Sequence, residues 1–186
     1  MATTMQGFAR VVSALEPHHW DLPTPCTGWS VFDVVDHVVM GERFTAGTLA
    51  GASLAEATEA QAGIDRQDPD VTAQVERAAA DLLFAFDESL DRLIEHRIGP
   101  VTARRVLGFR IIDELGHTWD VATATGQDAL LVADALVVGL EVAVAERETL
   151  ERSANFETVP GAVGATVDPQ TAFLHAIGRA ARTASR

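Results

Sequence analysis

Long stretches of this chain place apolar residues at every third or fourth position, and this spacing constrains the fold more than any other feature. Residues at positions i, i+3 and i+4 share one face of an α-helix, so each stretch predicts a helix with one buried stripe. Sequence typical of β-strands is sparse, and short segments containing Gly or Pro separate the helical stretches. The sequence therefore predicts an all-α protein whose helices bury their stripes against one another.

Flanking residues set the expected helix boundaries. Ser30 is expected to cap a helix, because Asp33 follows at the capping-box position. Gly126 is expected to end one, since glycine tolerates the left-handed backbone that follows many helices. The Ala- and Gly-rich residues 50–68 predict a weakly ordered or partly helical connector. The predicted helices are Thr3–Leu15, Val31–Leu49, Val71–His96, Ala103–Thr125, Leu131–Arg152 and Gln170–Arg182.

These lengths predict a four-helix bundle with small additions. We expect one domain over residues 1–186, with a core bundle at about 3–152 and a tail with a short extra C-terminal helix at 153–186. The single cysteine, Cys26, allows no internal disulfide, which favours a reducing compartment such as the cytoplasm. The first residues lack the pattern of a signal peptide, and the apolar runs are shorter than the roughly 18 residues of a membrane span.

Charge and composition exclude several classes of function. The formal net charge is −13, so we expect no nucleic-acid partner and no anionic membrane surface. All 14 basic residues are arginine, and the chain has no lysine and no tyrosine. Mechanisms that need a Schiff-base lysine, a P-loop lysine or a tyrosine general acid are therefore excluded.

Asp113 and His117 stand four residues apart on the predicted helix Ala103–Thr125, so their side chains share one face. The simplest interpretation is an ion pair on a solvated face, but the neighbouring residues are mostly apolar. Glu114 is also within reach of His117, so either acid could be its partner. Arg110, one turn earlier, is expected to form an ion pair with one of these acids rather than to bind a substrate.

A second helix supplies another candidate, His37, one turn after Asp33 on a partly apolar face. Taken alone, such a histidine is more often a packed or half-exposed residue than a ligand. Two imidazoles and one carboxylate from facing helices, however, form a common site for a first-row divalent metal. Asp120, three residues after His117, could accept a hydrogen bond from the other ring nitrogen of His117 and fix its tautomer.

The remaining candidates have weaker contexts. His18 and His19 form a loop pair for which two interpretations stay open, an exposed pair or a pair that helps to hold the loop. His96 is expected at a helix C-terminus, where a cation is favourable. His175 is expected on the surface or in packing. Cys26 has no arginine nearby in sequence that would lower its pKa, so we expect a structural thiol.

Three stretches together resemble a known family: WDLPTPCTGWSVFDVVDHVV (20–39), DELGHTWDVATATGQD (113–128) and DPQTAFLHAIGR (168–179). They are similar to the DinB-like metal-binding domain of mycothiol-dependent maleylpyruvate isomerases, in its short stand-alone actinobacterial form. The resemblance implies an up-down-down-up four-helix bundle that holds one divalent metal, most often zinc, with nickel or another first-row metal as alternatives. Mapped by motif, the implied metal ligands are His37, Asp113 and His117.

The resemblance also implies a function in which the metal presents open positions to a low-molecular-weight thiol such as mycothiol, and the thiolate attacks a small electrophile. Two features differ from the isomerase, which uses a glutamate where this chain has Asp113 and carries a further C-terminal domain where only 153–186 follow here. Activity that needs that domain is not expected. Homodimers are common among such bundles, and no residue pattern here selects for or against one.

Three hypotheses follow from the sequence. The first is a metal- and thiol-dependent transferase or isomerase that acts on a small electrophile. The second is a bundle that binds a metal or a small ligand without turnover. The third is a purely structural or interaction protein in which Asp113 and His117 form only an ion pair.

Overall fold

The computed structural model describes residues 1–86, 89–152 and 168–179. Its helices are α1 (Ala2–Ser13), α2 (Val31–Leu49), α3 (Leu54–Ala60), α4 (Val71–Ala85), α5 (Ala103–Thr125), α6 (Ala133–Ala145), α7 (Arg147–Glu151) and α8 (Pro169–Ala176). Within the described residues, the only sheet is an antiparallel pair of two-residue strands, β1 (Leu93–Ile94) and β2 (Val101–Thr102). The predicted all-α class is confirmed.

Helices α1, α2, α4 and α5 form the four-helix core, and contacts at their ends give their directions. Thr4 at the start of α1 donates a hydrogen bond to Glu114, whereas Gln127, just past α5, donates to the carbonyl of Val11. Helices α1 and α5 are therefore parallel.

The other two core helices run in the opposite direction. His37 lies beside Asp113, whereas Gly41, one turn later on α2, lies beside Arg110, one turn earlier on α5. Helix α2 is therefore antiparallel to α5. The C-terminal half of α4 shares a buried cluster with the start of α1 and the end of α2, so α4 runs parallel to α2. These directions are the up-down-down-up order that the family resemblance implies.

Two apolar clusters hold the site from opposite sides. The larger one joins α1, α2 and α4 to the end of α5, and its valines are all at most 8% exposed. The second joins α5 to α6 and α8, with Phe173 and Leu174 buried at its centre. Burial of such side chains contributes about 1.5–3 kcal/mol each, so α5 is fixed on nearly every face.

The predicted helix starts and stops at the site are present. Ser30 accepts a hydrogen bond from the backbone N–H of Asp33, whose carboxylate accepts one from Ser30 in return. Gly126 ends α5 with φ of 69°, in the left-handed region. The predicted bounds of α5 match the structure, and the connector at 50–68 is partly helical because it contains α3.

Three predicted helices are wrong at their ends. The third ends at Ala85 rather than at His96, because Phe86 adopts an extended backbone and the chain then forms the β1–β2 hairpin. The predicted helix Leu131–Arg152 is divided into α6 and α7 at Glu146, whose carboxylate binds Arg105 of α5. The last helix ends at Ala176 rather than at Arg182, before Gly178 with φ of 75°; residues 180–182 lie outside the described residues.

No helix within the described residues has both the length and the apolar character needed to cross a membrane.

The capping box at the start of α2 yields a first prediction. Ser30→Ala removes the acceptor for the N–H of Asp33, so we expect the free energy of unfolding to fall by about 1 kcal/mol. Urea denaturation followed by far-UV circular dichroism measures the change. Ser13→Ala is the matched control, since Ser13 is an exposed serine at the opposite end of a helix, and it should change stability by less than about 0.5 kcal/mol. Equal effects of the two substitutions would contradict the prediction.

Candidate metal centre

His37, Asp113 and His117 come together at the contact between α2 and α5. Their ligating atoms all lie within 4.8 Å of one another. Oδ1 of Asp113 is 3.4 Å from Nε2 of His37 and 3.5 Å from Nε2 of His117. Within the described part of the chain, no other group of three His, Cys, Asp or Glu side chains converges in this way. The structure thus brings together the three predicted residues, and their role as ligands stays a prediction.

The spacing of these atoms suits a metal ion better than it suits direct hydrogen bonds. Hydrogen bonds between N–H and O are usually 2.7–3.2 Å long. Ligands bound to zinc at about 2.0–2.1 Å in a tetrahedron are separated by about 3.3–3.4 Å. Imidazole nitrogens and a carboxylate oxygen are also donors that zinc and its neighbours accept. The residues present therefore fit a divalent metal.

His117 is oriented by a contact on its other nitrogen. Nδ1 of His117 lies 3.0 Å from Oδ2 of Asp120, which is fully buried. Burial alone would raise the pKa of Asp120, but the hydrogen bond to His117 and the charge of Arg179 outweigh it and lower the pKa. The ionised carboxylate of Asp120 accepts the N–H of Nδ1, so the other ring nitrogen, Nε2, faces Asp113. The structure places Asp120 where the sequence analysis expected it.

Arg179 was missed by the sequence analysis. It follows α8, is buried, and binds Oδ2 of Asp120 through Nη2 at 2.9 Å. Its Nη1 donates to the carbonyl oxygen of Ile177 at 3.0 Å, so the end of α8 fixes the guanidinium. Nothing in the local sequence connects residue 179 to a helix that ends at residue 125.

Asp113 is held by Arg110 from the side opposite the histidines. Nη1 of Arg110 is 3.0 Å from Oδ2 of Asp113, and Nη2 is 3.4 Å from the carbonyl oxygen of Val38. Gly41 makes room for this guanidinium, because a Cβ at that position would be 2.5 Å from Nη1. Burial by itself would raise the pKa of Asp113, but Arg110 and the two histidines hold it well below its ordinary value. The expected ion pair is present.

Of the two acids that the sequence left open, Asp113 faces the histidines and Glu114 does not. Glu114 points toward α1, where it accepts the hydrogen bond from Thr4. The aspartate side chain, although shorter than glutamate, reaches both imidazoles without a change in the helix, because the antiparallel contact brings His37 close to α5.

Trp29 covers the two histidines from the loop before α2. Its ring stacks on His117 with centroids 5.8 Å apart and planes 10° apart, and its centroid is 4.8 Å from that of His37. Cys26 lies in the same loop, half-buried, and this burial raises the pKa of its thiol despite the positive charge of Arg179. Trp29 belongs to the motif TPCTGW, but nothing in that motif predicts a contact between the tryptophan and the imidazoles.

The other histidines take no part in the cluster. The rings of His18 and His19 lie against each other with centroids 4.1 Å apart and planes tilted by 49°. His18 is exposed, whereas Nδ1 of His19 accepts a hydrogen bond from the backbone N–H of Glu16 and helps to hold the loop.

The prediction that His96 ends a helix is wrong, because it follows β1 and its ring lies 6.2 Å from Phe44 and 5.9 Å from Phe109. Burial lowers the pKa of His96, and nearby arginines lower it further. The imidazole of His96 is therefore neutral at pH 7.

Two further acids are buried beside Arg110 on the bundle side of the site. Glu42 on α2 is 1% exposed, and neither of its carboxylate oxygens has a hydrogen-bond partner among the described residues. Burial raises the pKa of Glu42 to about 8 and that of Glu114 to about 7. Arg110 balances only part of the negative charge of Asp113, Glu114 and Glu42, so Glu42 retains its proton at neutral pH.

Comparison with known proteins identifies the family of the chain. The family described as the mycothiol maleylpyruvate isomerase N-terminal domain matches residues 1–122. The chain belongs to this family. Two proteins of Mycobacterium tuberculosis, uncharacterized protein MT0763 of strain CDC 1551 / Oshkosh and uncharacterized protein Rv0738 of strain ATCC 25618 / H37Rv, are each 32% identical to it over 138 residues. The alignment covers 74% of this chain and 71% of each relative. No solved structure matches the chain significantly.

The family match confirms the resemblance that the motifs indicate. One part of the site lies inside the matched residues, and another part lies outside them. The match includes the three clustered residues and Asp120. It does not include Arg179, so the contact that holds Asp120 comes from a segment outside the matched domain.

The buried acid Glu42 yields a prediction about pH. Its pKa is about 8 in the folded protein against 4.5 in its ordinary state, so between these values the folded chain binds more protons than the unfolded chain. The free energy of unfolding should therefore fall as pH rises, by at most about 1.4 kcal/mol per pH unit from this group. Glu42→Gln is neutral throughout and should gain stability relative to the wild type from pH 5 to pH 8.

Urea denaturation at four pH values between 5 and 8 measures this difference. Glu76→Gln, on the exposed face of α4, is the matched control and should leave the pH dependence unchanged. Parallel stability curves for wild type and Glu42→Gln would contradict the prediction.

Proposed function

We propose that the protein binds one divalent metal ion through His37, Asp113 and His117. The observation that carries the proposal is the position of Asp113 Oδ1, 3.4 and 3.5 Å from two imidazole nitrogens at the junction of α2 and α5. The contact between Nδ1 of His117 and Asp120, which orients the imidazole, and membership of the family support it. Zinc fits this donor set, and nickel or another first-row metal is the alternative.

We further propose that the protein is a transferase or isomerase that uses a low-molecular-weight thiol of the mycothiol type. Three protein ligands leave coordination positions open, and a bound divalent ion would lower the pKa of a thiol held there. The name of the family connects its domain with mycothiol chemistry, and the proposal extends that connection to this chain. The partners would be the thiol and a small electrophile, in the cytoplasm, where thiols stay reduced.

The chain's own residues would each have a defined task in this function. Asp120 and Arg179 hold the proton of His117 on Nδ1, so that Nε2 stays available as a ligand. Arg110 compensates the charge of Asp113 and fixes the carboxylate through Oδ2, which leaves Oδ1 for the ion. Trp29 covers the imidazoles and limits the access of water to them.

Metal content tests the first part of the proposal. Protein purified without a polyhistidine tag should contain about one equivalent of metal by mass spectrometry, because the three ligands come from one folded chain. Removing a residue that only supports a metal ligand weakens metal binding roughly 10- to 100-fold. Arg179→Gln should therefore weaken metal binding by about this factor, and His117→Ala, which removes a proposed ligand, should weaken it further. His18→Ala is the control, since this exposed histidine should change nothing. Metal-free wild type, or His117→Ala with undiminished metal, would contradict the proposal.

Thiol conjugation tests the second part. The zinc-loaded protein is expected to accelerate formation of the thioether between mycothiol and 1-chloro-2,4-dinitrobenzene, which is followed by absorbance. Chelator-treated protein and His117→Ala should show only the uncatalysed rate, and His18→Ala should match the wild type. A metal-loaded protein without any metal-dependent conjugation of this or other small electrophiles would favour the alternative, a bundle that binds metal without turnover.

A further inference from the structure

A cavity of about 600 Å³ opens beside the clustered residues, between the outer face of α5 and helix α7. Asp113 lies at one end, and Arg105 and Arg152 are also among its lining residues. We propose that this cavity binds a flat apolar molecule that carries one acidic group, with the acid at the two arginines. The proposal rests on the proposed function only in naming this molecule as the electrophilic substrate; binding itself needs no metal.

The wall of the cavity is apolar and flat. The ring of His96 lies nearly parallel to that of Phe109, with centroids 5.9 Å apart and planes 29° apart. Ile112 and Leu150 are buried and close two further sides. Ligand sites of this kind, about 300–1,000 Å³ with few polar groups, take molecules that are largely apolar.

Arg105 lines the cavity, and hydrogen bonds fix its guanidinium. Its Nε and Nη2 each bind Glu146 at 2.6 Å, and Nη2 also donates to Thr149 at 3.1 Å. The guanidinium carbon is 5.3 Å from the centroid of the Phe109 ring, so the group lies over the apolar wall. Within the described residues, Nη1 makes no such bond and keeps two N–H groups for a ligand.

Arg152 is the second positive charge of the cavity, and it matters because Glu146 neutralises much of the charge of Arg105. It is exposed at the end of α7, lines the cavity, and forms no ion pair with any other described residue. On a chain with a formal charge of −13, a cavity that two arginines line selects for an anion.

The opposite end of the cavity limits the ligand to one acid. Residues 105 and 113 are eight positions apart on α5, or about 12 Å along the helix axis. The carboxylate of Asp113 lines that end, so a second acidic group there would face carboxylate oxygens. A molecule with its acid at Arg105 and Arg152 would instead direct its uncharged end toward Asp113, next to the proposed metal ion.

Isothermal titration with 2-naphthoate and with the neutral 2-naphthylmethanol tests this inference on chelator-treated and zinc-loaded protein. We expect naphthoate to bind one to one in both states, and the alcohol to bind about tenfold more weakly, which corresponds to about 1.4 kcal/mol. Arg152→Gln should weaken naphthoate several-fold and leave the alcohol unchanged. Arg147→Gln is the matched control on α7, because Arg147 pairs with Glu151 and does not line the cavity.

A second variant tests the position of the ligand without touching a charge. Ile98 lines the cavity and is half exposed, so Ile98→Trp should fold and should weaken both compounds by filling the mouth. No binding of naphthoate, equal binding of the alcohol, or equal affinity of wild type and Arg152→Gln would overturn the inference. If the protein binds naphthoate but never takes up metal, the cavity site is supported and the metal proposal is refuted. If the protein takes up metal but does not bind naphthoate, only the cavity site is refuted.

Discussion

The ion pair between the buried Arg110 and the partly buried Asp113 is the interaction on which the rest of the site depends. Arg110 also donates to the backbone of α2, and Gly41 leaves the space that its guanidinium fills. The ion pair therefore has two effects: it joins the antiparallel helices α2 and α5, and it orients the carboxylate of Asp113. Without the arginine, Asp113 would be a largely desolvated charge near the further acids Glu42 and Glu114, which is unfavourable unless the group takes up a proton.

This arrangement explains how one helix can carry so many polar groups through a core. Helix α5 is covered by α1 and α2 on one side and by α6 and α8 on the other, yet Arg110, Glu114 and Asp120 are all at most 7% exposed. Each has a partner from another element: the backbone of α2, Thr4 and Arg179. These contacts between helices bind one or more polar atoms of each residue, and they fix the relative position of the elements as well as the site.

The sequence predicted the parts of the structure that depend on local spacing. The bounds of α5, the cap at Ser30 and the shared face of Asp113 and His117 all follow from residues a few positions apart. His37 was added to the set through a motif, and the packing of α2 places it beside Asp113. The same local signals failed beyond Ala85, where apolar residues continue at helical spacing but the chain forms a hairpin.

The parts of the site that the sequence did not predict all depend on contacts between residues far apart in the chain. Trp29 stacks on an imidazole 88 positions later, and Arg179 binds an aspartate 59 positions earlier, so no window of sequence contains either pair. The division of the predicted helix at Glu146 has the same origin. The carboxylate of Glu146 binds Arg105, which the helical spacing of the segment does not reveal. The break separates α7 from α6, and α7 forms one wall of the cavity. One contact, between Arg105 and Glu146, therefore explains why the predicted helix was too long and why the sequence did not predict the cavity.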